Sequence, residues 1–406
     1  MKIAVIGGGA AGMTAAGFAA QNGASVILFE KNERYGAKLR ITGKGRCNVT
    51  NNCTKEEFFD NVVSNPRFLY SSYSKFDCAA VMDFFESLGV PLKTERGNRV
   101  FPASDKAADI ADALIKFCRD GKVKTLNEKV CGVEFENGGF TVITSRQKHS
   151  FDKVIIATGG LSYPRTGSTG DGYAFARSLG HSVTELSASL VPLVCREDIC
   201  GKCRGLSLKN VKLTATDNVT GKTVYEEQGE MLFTENGVSG PLVLSASAHM
   251  DDESGRYGLF IDLKPALDIK TLDKRILRDF SDNKNKDVIN AFSALLPSKL
   301  IEPFVDLTGI PHDKKVNSVT ASERERIVRL LKRLPLTVKS KAPIDEAVIT
   351  RGGVDTKQID PKTMQSKLIP GLYFAGEVID CDAYTGGFNL QISFCTGHTA
   401  GISASE

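Results

Sequence analysis

Residues 2–30 restrict what this chain can fold into more than any other stretch. Lys2 to Ile6 is an apolar run, KIAVI, of the kind that forms a short buried strand, and Gly7, Gly9 and Gly12 follow it as G-x-G-x-x-G. Ala10 to Asn22 has helical composition. Ala24 to Phe29 is a second apolar run that ends at Glu30, 18 residues after Gly12. Strand, glycine turn, helix, strand and acid in this order form the βαβ fingerprint of dinucleotide binding. Gly7 permits the tight turn, Gly9 lets a pyrophosphate approach the backbone, and Gly12 lets the helix lie close to the strand. The helix start offers N–H groups and a partial positive charge to phosphates, and Glu30 can accept hydrogen bonds from a ribose. The fingerprint alone does not say which dinucleotide is bound.

A chain of 406 residues exceeds one ordinary core, so two or three domains are expected. Apolar content of 41% and charged content of 25% suit a globular protein in water. No apolar run approaches the length of a membrane helix, and the N-terminus lacks a charged region followed by a cleavage site, so neither a span nor a signal peptide is expected. The ten cysteines follow no framework spacing, which points to reduced thiols and a cytoplasmic protein.

After Glu30 comes a loop, Lys38 to Asn51, with four basic residues (Lys38, Arg40, Lys44, Arg46) around Gly43 and Gly45. It is not a Walker A loop: Lys38 stands where the first glycine belongs and Gly45 where Ser or Thr would bind magnesium. Such a loop can lie along a diphosphate or remain a solvated basic segment, and spacing does not decide between the two. Lys55 to Gly89 has helical spacing, Leu92 to Phe101 reads as a hairpin, and Asp105 to Cys118 reads as a helix with Ser104 as its cap. Short strands then lead to VIIA (154–157), which runs into Thr158-Gly159-Gly160 and a loop rich in glycine and hydroxyls, Tyr163 to Gly172. Loops leaving the C-terminal ends of parallel strands are where such sheets place ligands.

Leu190 to Leu263 reads as short strands. Pro265 to Leu334 reads as helical, with Thr320 and Glu323 spaced as a capping box. Residues 264–341 hold 17 Lys and Arg against 10 Asp and Glu, a net +7, leaving −3 for the rest of a chain whose total is +4. This basic segment is either a solvated face or a surface for RNA. Near the C-terminus LYFA (372–375) is a strand, followed by Gly376-Glu377, then Gly386-Gly387-Phe-Asn-Leu-Gln391 and a small-residue helix to Ala404.

A glycine fingerprint at the N-terminus, ATGG in the middle and Gly-Glu plus a glycine-led helix at the C-terminus is the layout of two-dinucleotide-binding-type flavoproteins, which hold FAD. End to end, the chain resembles the BaiN/YhiN-like flavoprotein family, also called aminoacetone-oxidase-like. The matching stretches are TGKGRCNVTN (42–51), IIATGGLSYPRTGSTGDGY (155–173), FTENGVSGP (233–241) and GLYFAGEVIDCDAYTGGFNLQISFCTGHTAG (371–401). The resemblance implies an α/β fold: an FAD-binding Rossmann-like domain (1–186 and 346–406) with a β-barrel-like insert (187–264 and 335–345) and a helical insert (265–334). It implies that Gly7 to Gly12 (with Ala10 and Ala11) and Glu30 take the diphosphate and adenosine ribose, and that Lys38, Arg46, Cys47 and Asn48 wrap the cofactor. Val130 would meet the adenine through its backbone. Gly376 and Glu377 would lie by the diphosphate and ribityl chain, and Phe388, Asn389 and Leu390 would aim N–H groups at the flavin's pyrimidine edge. Lys31, Ala157, Thr158, Gly159 and Gly387 complete the expected cofactor shell. One departure is visible: where the family often has His after Phe-Thr, this chain has Glu235, so a proton-transfer role for that His does not carry over.

The expected function is an FAD-dependent oxidoreductase, with hydride passing from NAD(P)H to flavin and on to an activated C=C bond. The resemblance keeps two alternatives open: reduction of uracil to dihydrouridine in ribosomal RNA, with contact through the basic insert, and oxidation of an aminoketone or amine. Tyr163, Arg165, Glu235 and Tyr384 are the proton-donor candidates because they sit in or beside ligand-end loops. A single G-x-G-x-x-G leaves NAD(P)H as a transient visitor. Cys200-Gly-Lys-Cys203 lacks the second pair that zinc needs, and the five His show no ligand spacing, so no metal is expected.

Overall fold

The computed structural model describes residues 1–406, and the chain divides into two compact units, Met1–Ser189 with Ile344–Glu406, and Leu190–Pro343. In the first unit, β1 (Lys2–Ile6), α1 (Ala10–Gln21) and β2 (Ser25–Glu30) form the βαβ unit that the sequence implies. β1 pairs in parallel with β2 on one side and with Lys153–Ile156 on the other. Lys124–Asn127 extends the sheet beyond β2, and Leu372–Phe374 extends it beyond Lys153–Ile156, also in parallel. Ile3, Ala4, Val5, Val154, Ile155 and Ile156 are fully buried. A parallel sheet covered on both faces needs such continuous apolar strands. The strand order reverses at β1, and the crevice at that reversal is where doubly wound sheets bind ligands.

α1 and the C-terminal helix, Phe388–Ser405, both carry small residues on nearly every side, which lets them run close together. Gly397 faces Ala11 and Gly401 faces Ala15. Equal steps in the same direction mean that the two helices are parallel. His398 lies in the same layer, stacked on Phe76 at 4.6 Å and edge-on to Phe18 at 4.5 Å. Burial, helped by Lys75, pushes His398 down to about 4. Its unfolded value is near 6.5. The imidazole is therefore neutral in the folded protein, and the stability it secures is complete above about pH 6.5 and declines as pH falls towards 4. His398→Phe is expected to flatten the fall of the melting temperature across that window, as read by thermal unfolding at stepped pH.

Two sequence expectations are corrected here. Lys55–Gly89 is not one helical stretch but Lys55–Asp60, Pro66–Leu69, Tyr70–Lys75 and Cys78–Ser87. The first part ends at Asp60 with Asn61 as its C-cap, Asn65 in the left-handed region and Pro66 open the second, and Asp77 caps the last by accepting from the Ala80 amide at 2.9 Å. The helix expected at Asp105 begins at Ala107. Ser104 lies ahead of it, accepting from the Lys106 amide at 3.2 Å and donating to Asp109 at 2.5 Å.

The second unit contains a closed six-stranded barrel of Leu193–Cys195, Gly237–Ser239, Thr223–Phe233, Ser207–Asp217, Tyr257–Asp262 and Leu334–Lys341. Helices Ile269–Asp282, Ser298–Thr308 and Ala321–Lys332 lie between its last two strands in sequence. The capping box expected for the last helix is present: the Thr320 hydroxyl accepts from the Glu323 amide at 3.3 Å, and Glu323 accepts from the Thr320 amide at 2.8 Å. Thr320→Ala is expected to cost about 1 kcal/mol in a denaturant titration.

Candidate functional site

The glycine turn is set by steric limits that can be read atom by atom. Gly7 has φ +111°, and a Cβ there would lie 2.4 Å from the Ala157 carbonyl oxygen. A Cβ at Gly12 would lie 1.8 Å from the Gly7 oxygen. Gly9 is different: it caps α1 in an extended conformation, and its Cβ would meet no protein atom within 4 Å. The first α1 amide bonded within the helix is that of Met13, to the Gly9 oxygen at 3.0 Å. The amides of Ala10, Ala11 and Gly12 thus form the free first turn, open beside Gly9. This is a cradle for a diphosphate. Glu30 is fixed at its edge, accepting from the Gly8 and Asn32 amides, both at 2.8 Å.

A second helix start is built at the other end of the chain. Gly387 has φ +101°, and its Cβ would lie 2.3 Å from the Thr50 carbonyl oxygen. Asn51 donates to the Gly386 oxygen at 3.0 Å, Thr50 donates to Gln391 at 2.7 Å, and Gln391 donates to the Phe76 oxygen at 2.8 Å. The Asn389 carboxamide accepts from the Ala383 amide at 2.9 Å and donates to the Ala383 oxygen at 2.7 Å. The Val-Thr-Asn and Gly-Gly-Phe-Asn-Leu-Gln motifs therefore interlock. Gln391 is the first residue of this helix whose amide bonds inside it, to Gly387 at 3.0 Å, so Phe388, Asn389 and Leu390 present the free turn. Ala11 is level with Gly397, so this helix begins about 12 Å further out than α1. Two N–H-rich helix starts staggered along one direction suit a long ligand with acceptors at both positions.

Between them lies a polar network. Lys38 donates to Glu377 and to Ser162, each at 2.6 Å, and Ser162 donates to the other Glu377 oxygen at 2.8 Å. The Thr350 amide donates to Glu377 at 3.0 Å, and the Thr350 hydroxyl accepts from the Leu161 amide at 2.8 Å. Two buried oxygens, Thr158 Oγ1 two residues past Lys153–Ile156 and Asn48 Oδ1 two residues before Thr50, have no protein partner. Together with the open space at Gly9, they give the residues present a fit to a hydroxyl-rich dinucleotide such as FAD. Cys47 is buried with φ +58°, and burial pushes its thiol up to about 12.

The other expected residues have these protein surroundings. Lys31 is held by Asp171 at 2.6 Å and Thr169 at 2.5 Å. Arg46 binds Glu95 and Asp105 and lies 4.2 Å from the centre of the Phe101 ring. Val130 is buried in the hairpin that pairs it with Thr144. Ala157 and Gly159 line the end of Lys153–Ile156, and Gly376, at φ +75°, would bring a Cβ to 2.7 Å from Ala11. Among the proton-donor candidates, Tyr163 is half-buried with φ +54° and has Lys38 5.8 Å from its ring, whereas Arg165 is exposed. Tyr384 is half-buried and its amide donates to Asn61 at 2.9 Å. Glu235 belongs to the second unit, where its exposed carboxylate pairs with Arg204 at 2.9 Å.

Sequence reasoning missed Ser162, Thr350 and Asp382. Ser162 could have been found as a hydroxyl just past ATGG, and Asp382 as one of two acids in an otherwise apolar run. Asp382 is 1% exposed, accepts from Ser189 at 2.9 Å through one oxygen and has no partner on the other. Burial raises both Asp382 and Asp380 above the usual carboxylate range. No three His, Cys, Asp or Glu residues are grouped to hold a metal ion.

Residues 1–403 match the family model described as the HI0933-like protein Rossmann domain. The chain is 31% identical over 412 residues to a 3-dehydro-bile acid delta(4,6)-reductase of Clostridium scindens, covering 100% of this chain and 99% of the relative. It is 30% identical over 388 residues to a ribosomal RNA dihydrouridine synthase of Escherichia coli, covering 95% and 94%. Among solved structures, a 3-ketosteroid delta1-dehydrogenase from Sterolibacterium denitrificans aligns over 100% of this chain and 99% of its own, with a TM-score of 0.51 at 13% identity, a likeness of fold. By its glycine turn, its two helix starts and its match from end to end, the chain belongs to the HI0933-like family and is an FAD-dependent oxidoreductase on a Rossmann fold.

Proposed function

We propose that this protein uses NAD(P)H to reduce an activated C=C bond in a small organic substrate, a conjugated enone of the steroid or bile-acid type. The observation that carries this reading is the likeness, over the full length of both chains, to the bile-acid reductase. FAD, when bound, would supply the hydride-transfer chemistry that links the nicotinamide to the alkene. The amides of Ala10, Ala11 and Gly12 would hold its diphosphate, and Glu30 its adenosine ribose. Lys38, Ser162 and Glu377 offer exchangeable hydrogen bonds for the ribityl hydroxyls. The amides of Phe388, Asn389 and Leu390, with the helix dipole behind them, would stabilise negative charge at the pyrimidine edge. Tyr163 and Tyr384 would be the phenols that protonate the substrate. The single G-x-G-x-x-G makes the nicotinamide nucleotide a transient visitor.

A second reading, uracil reduction in ribosomal RNA, is favoured by the two relatives named ribosomal RNA dihydrouridine synthase and by the +7 segment 264–341. Lys314, Lys315, Arg324 and Lys332 there are paired with Glu323, Asp287, Asp273 and Asp262. No helix is long and apolar enough to cross a membrane, and we place the protein in the cytoplasm on its ten unpaired thiols.

Anaerobic mixing of the FAD-loaded protein with NADPH or NADH is the test. The enone reading expects bleaching, then return of the yellow colour when a 3-oxo-4-ene steroid is added. Failure of every enone, with dihydrouridine missing from ribosomal RNA after gene deletion, would replace it with the RNA reading. Bleaching by an aminoketone with neither nucleotide active would overturn both.

A further inference from the structure

Asp382 is a buried acid to which the cofactor shell gives no task. It is 1% exposed, its Oδ2 accepts from the Ser189 hydroxyl at 2.9 Å, and its Oδ1 is enclosed without a partner. A buried ionised carboxylate needs several donors or a paired cation to offset its lost hydration, and a neutral carboxylic acid needs far less. One bonded oxygen and one left over fit the neutral form. The main chain fixes where this acid lies. The Asp382 carbonyl oxygen accepts from the Val63 and Ser64 amides at 2.8 and 3.2 Å. The next residue, Ala383, is bonded through both its amide and its oxygen to the Asn389 carboxamide. Asn389 is one of the three residues that present free amides at the C-terminal helix start. Asp382 therefore adjoins the residue that grips this turn.

The charges around it are few. Segment 61–65, which holds its carbonyl, is Asn-Val-Val-Ser-Asn, and Ser187–Ser189, which holds its carboxyl, is Ser-Ala-Ser. Burial and Glu377 oppose its ionisation, Arg351 favours it, and the balance lies above the usual carboxylate range. On its own stretch Asp380, Cys381 and Tyr384 also titrate, and a charge on Asp382 opposes ionisation of Asp380.

We propose that Asp382 is a redox-linked acid: it stays neutral beside the flavin, and its ionisation and the flavin's reduction oppose each other. Reduced flavin carries negative charge at its pyrimidine edge, and a second negative charge nearby in a water-poor site is costly. Linkage makes the effect reciprocal. An ionised Asp382 makes reduction harder, and a reduced flavin makes Asp382 hold its proton more tightly. Between the two ionisations, reduction draws one additional proton from solvent. That proton forms an O–H bond on the Asp382 carboxylate, while the two electrons come from the nicotinamide and stay on the flavin. The proposal rests on the flavin's placement at this helix start and does not depend on which substrate the enzyme reduces.

The test is the reduction potential of bound FAD across pH, by equilibration with reference dyes, together with infrared spectra of the same FAD-loaded protein. Wild type, Asp382→Asn and Asp380→Asn are compared. The expected spectrum has a carboxylic-acid C=O band that persists above about pH 5, where ordinary aspartates are ionised. Asp382→Asn should lack it and Asp380→Asn should keep it. Where that band is present, the wild-type and Asp382→Asn reduction equilibria should agree within tenfold. As the band disappears, the wild-type equilibrium should fall by an additional tenfold per pH unit, about 30 mV, a bend that Asp382→Asn lacks. The proposal is overturned if wild type has no such band, or if the band survives in Asp382→Asn. It is equally overturned if the two potentials run parallel across the whole range. Should Asp382→Asn misfold, a wild-type bend retained in Asp380→Asn supports the proposal, and a bend that is absent from wild type or lost in Asp380→Asn overturns it. Bleaching by NADPH or NADH is read separately, so the reductase reading survives any of these outcomes.

Discussion

Gly9→Val should leave the protein folded and colourless, whereas Gly12→Ala should lose both the fold and the flavin. A side chain at Gly9 meets no protein atom within 4 Å, and the residue is already extended at φ −87°, so a valine fits the empty protein. Its stability should change by no more than about 0.5 kcal/mol. The branched side chain would instead occupy the space that a diphosphate needs at the α1 start. FAD affinity should fall at least tenfold, about 1.4 kcal/mol. At Gly12 the added Cβ lies 1.8 Å from a backbone oxygen of the tight turn, which cannot rotate away. That overpacking should cost about 3 kcal/mol or more. Thermal unfolding with and without added FAD, and flavin content after gel filtration, separate the two variants. Equal flavin content in Gly9→Val and wild type would show that the diphosphate does not lie there.

Gly397→Val should be strongly damaging. Its Cβ would lie 2.5 Å from the Ala11 carbonyl oxygen, and the same contact recurs one turn on, where a Cβ at Gly401 would lie 2.4 Å from the Ala15 oxygen. Both obstacles are helix backbone, so the helices must separate. Separation weakens every apolar contact between α1 and the C-terminal helix and displaces Phe388 to Leu390 relative to Ala10 to Gly12. A stability loss of about 3 kcal/mol is expected from overpacking, with a parallel fall in FAD affinity because the two helix starts move apart. Gly401→Val lies further from both starts. It should lower the melting temperature similarly while retaining more flavin, a difference that unfolding and titration together resolve.

What the sequence reveals depends on how local the constraint is. The β1–α1–β2 unit is legible because strand, glycine turn, helix and Glu30 follow one another at fixed spacing, and Gly12 packs on Gly7 within the same turn; the obstacle at Gly7, by contrast, is Ala157 from a distant strand end. The Thr320 cap is legible for the same reason. The second unit is legible in its residues as short strands, the barrel comes only from the family resemblance, and its closure is not legible. Leu193–Cys195 pairs with Leu334–Lys341, and nothing in either segment encodes the other's register. The Lys38, Ser162, Thr350 and Glu377 network draws one residue from each of four distant segments, so no spacing reveals it. The ion pairs of Lys31 and Arg46 are equally hidden, because their partners, Asp171, Glu95 and Asp105, lie far along the chain. Lys55–Gly89 misleads because helical spacing persists across the breaks at Asn65 and Asp77.

The central claim is that the first thirty residues and the last sixty form one FAD site. The most direct measurement is titration of the flavin-stripped, full-length protein with FAD, followed by denaturation and identification of what is released. One FAD per chain, released intact, with binding lost in Gly9→Val, is the predicted result. A protein that stays colourless after incubation with FAD, or that binds it equally well with valine at position 9, would contradict the account.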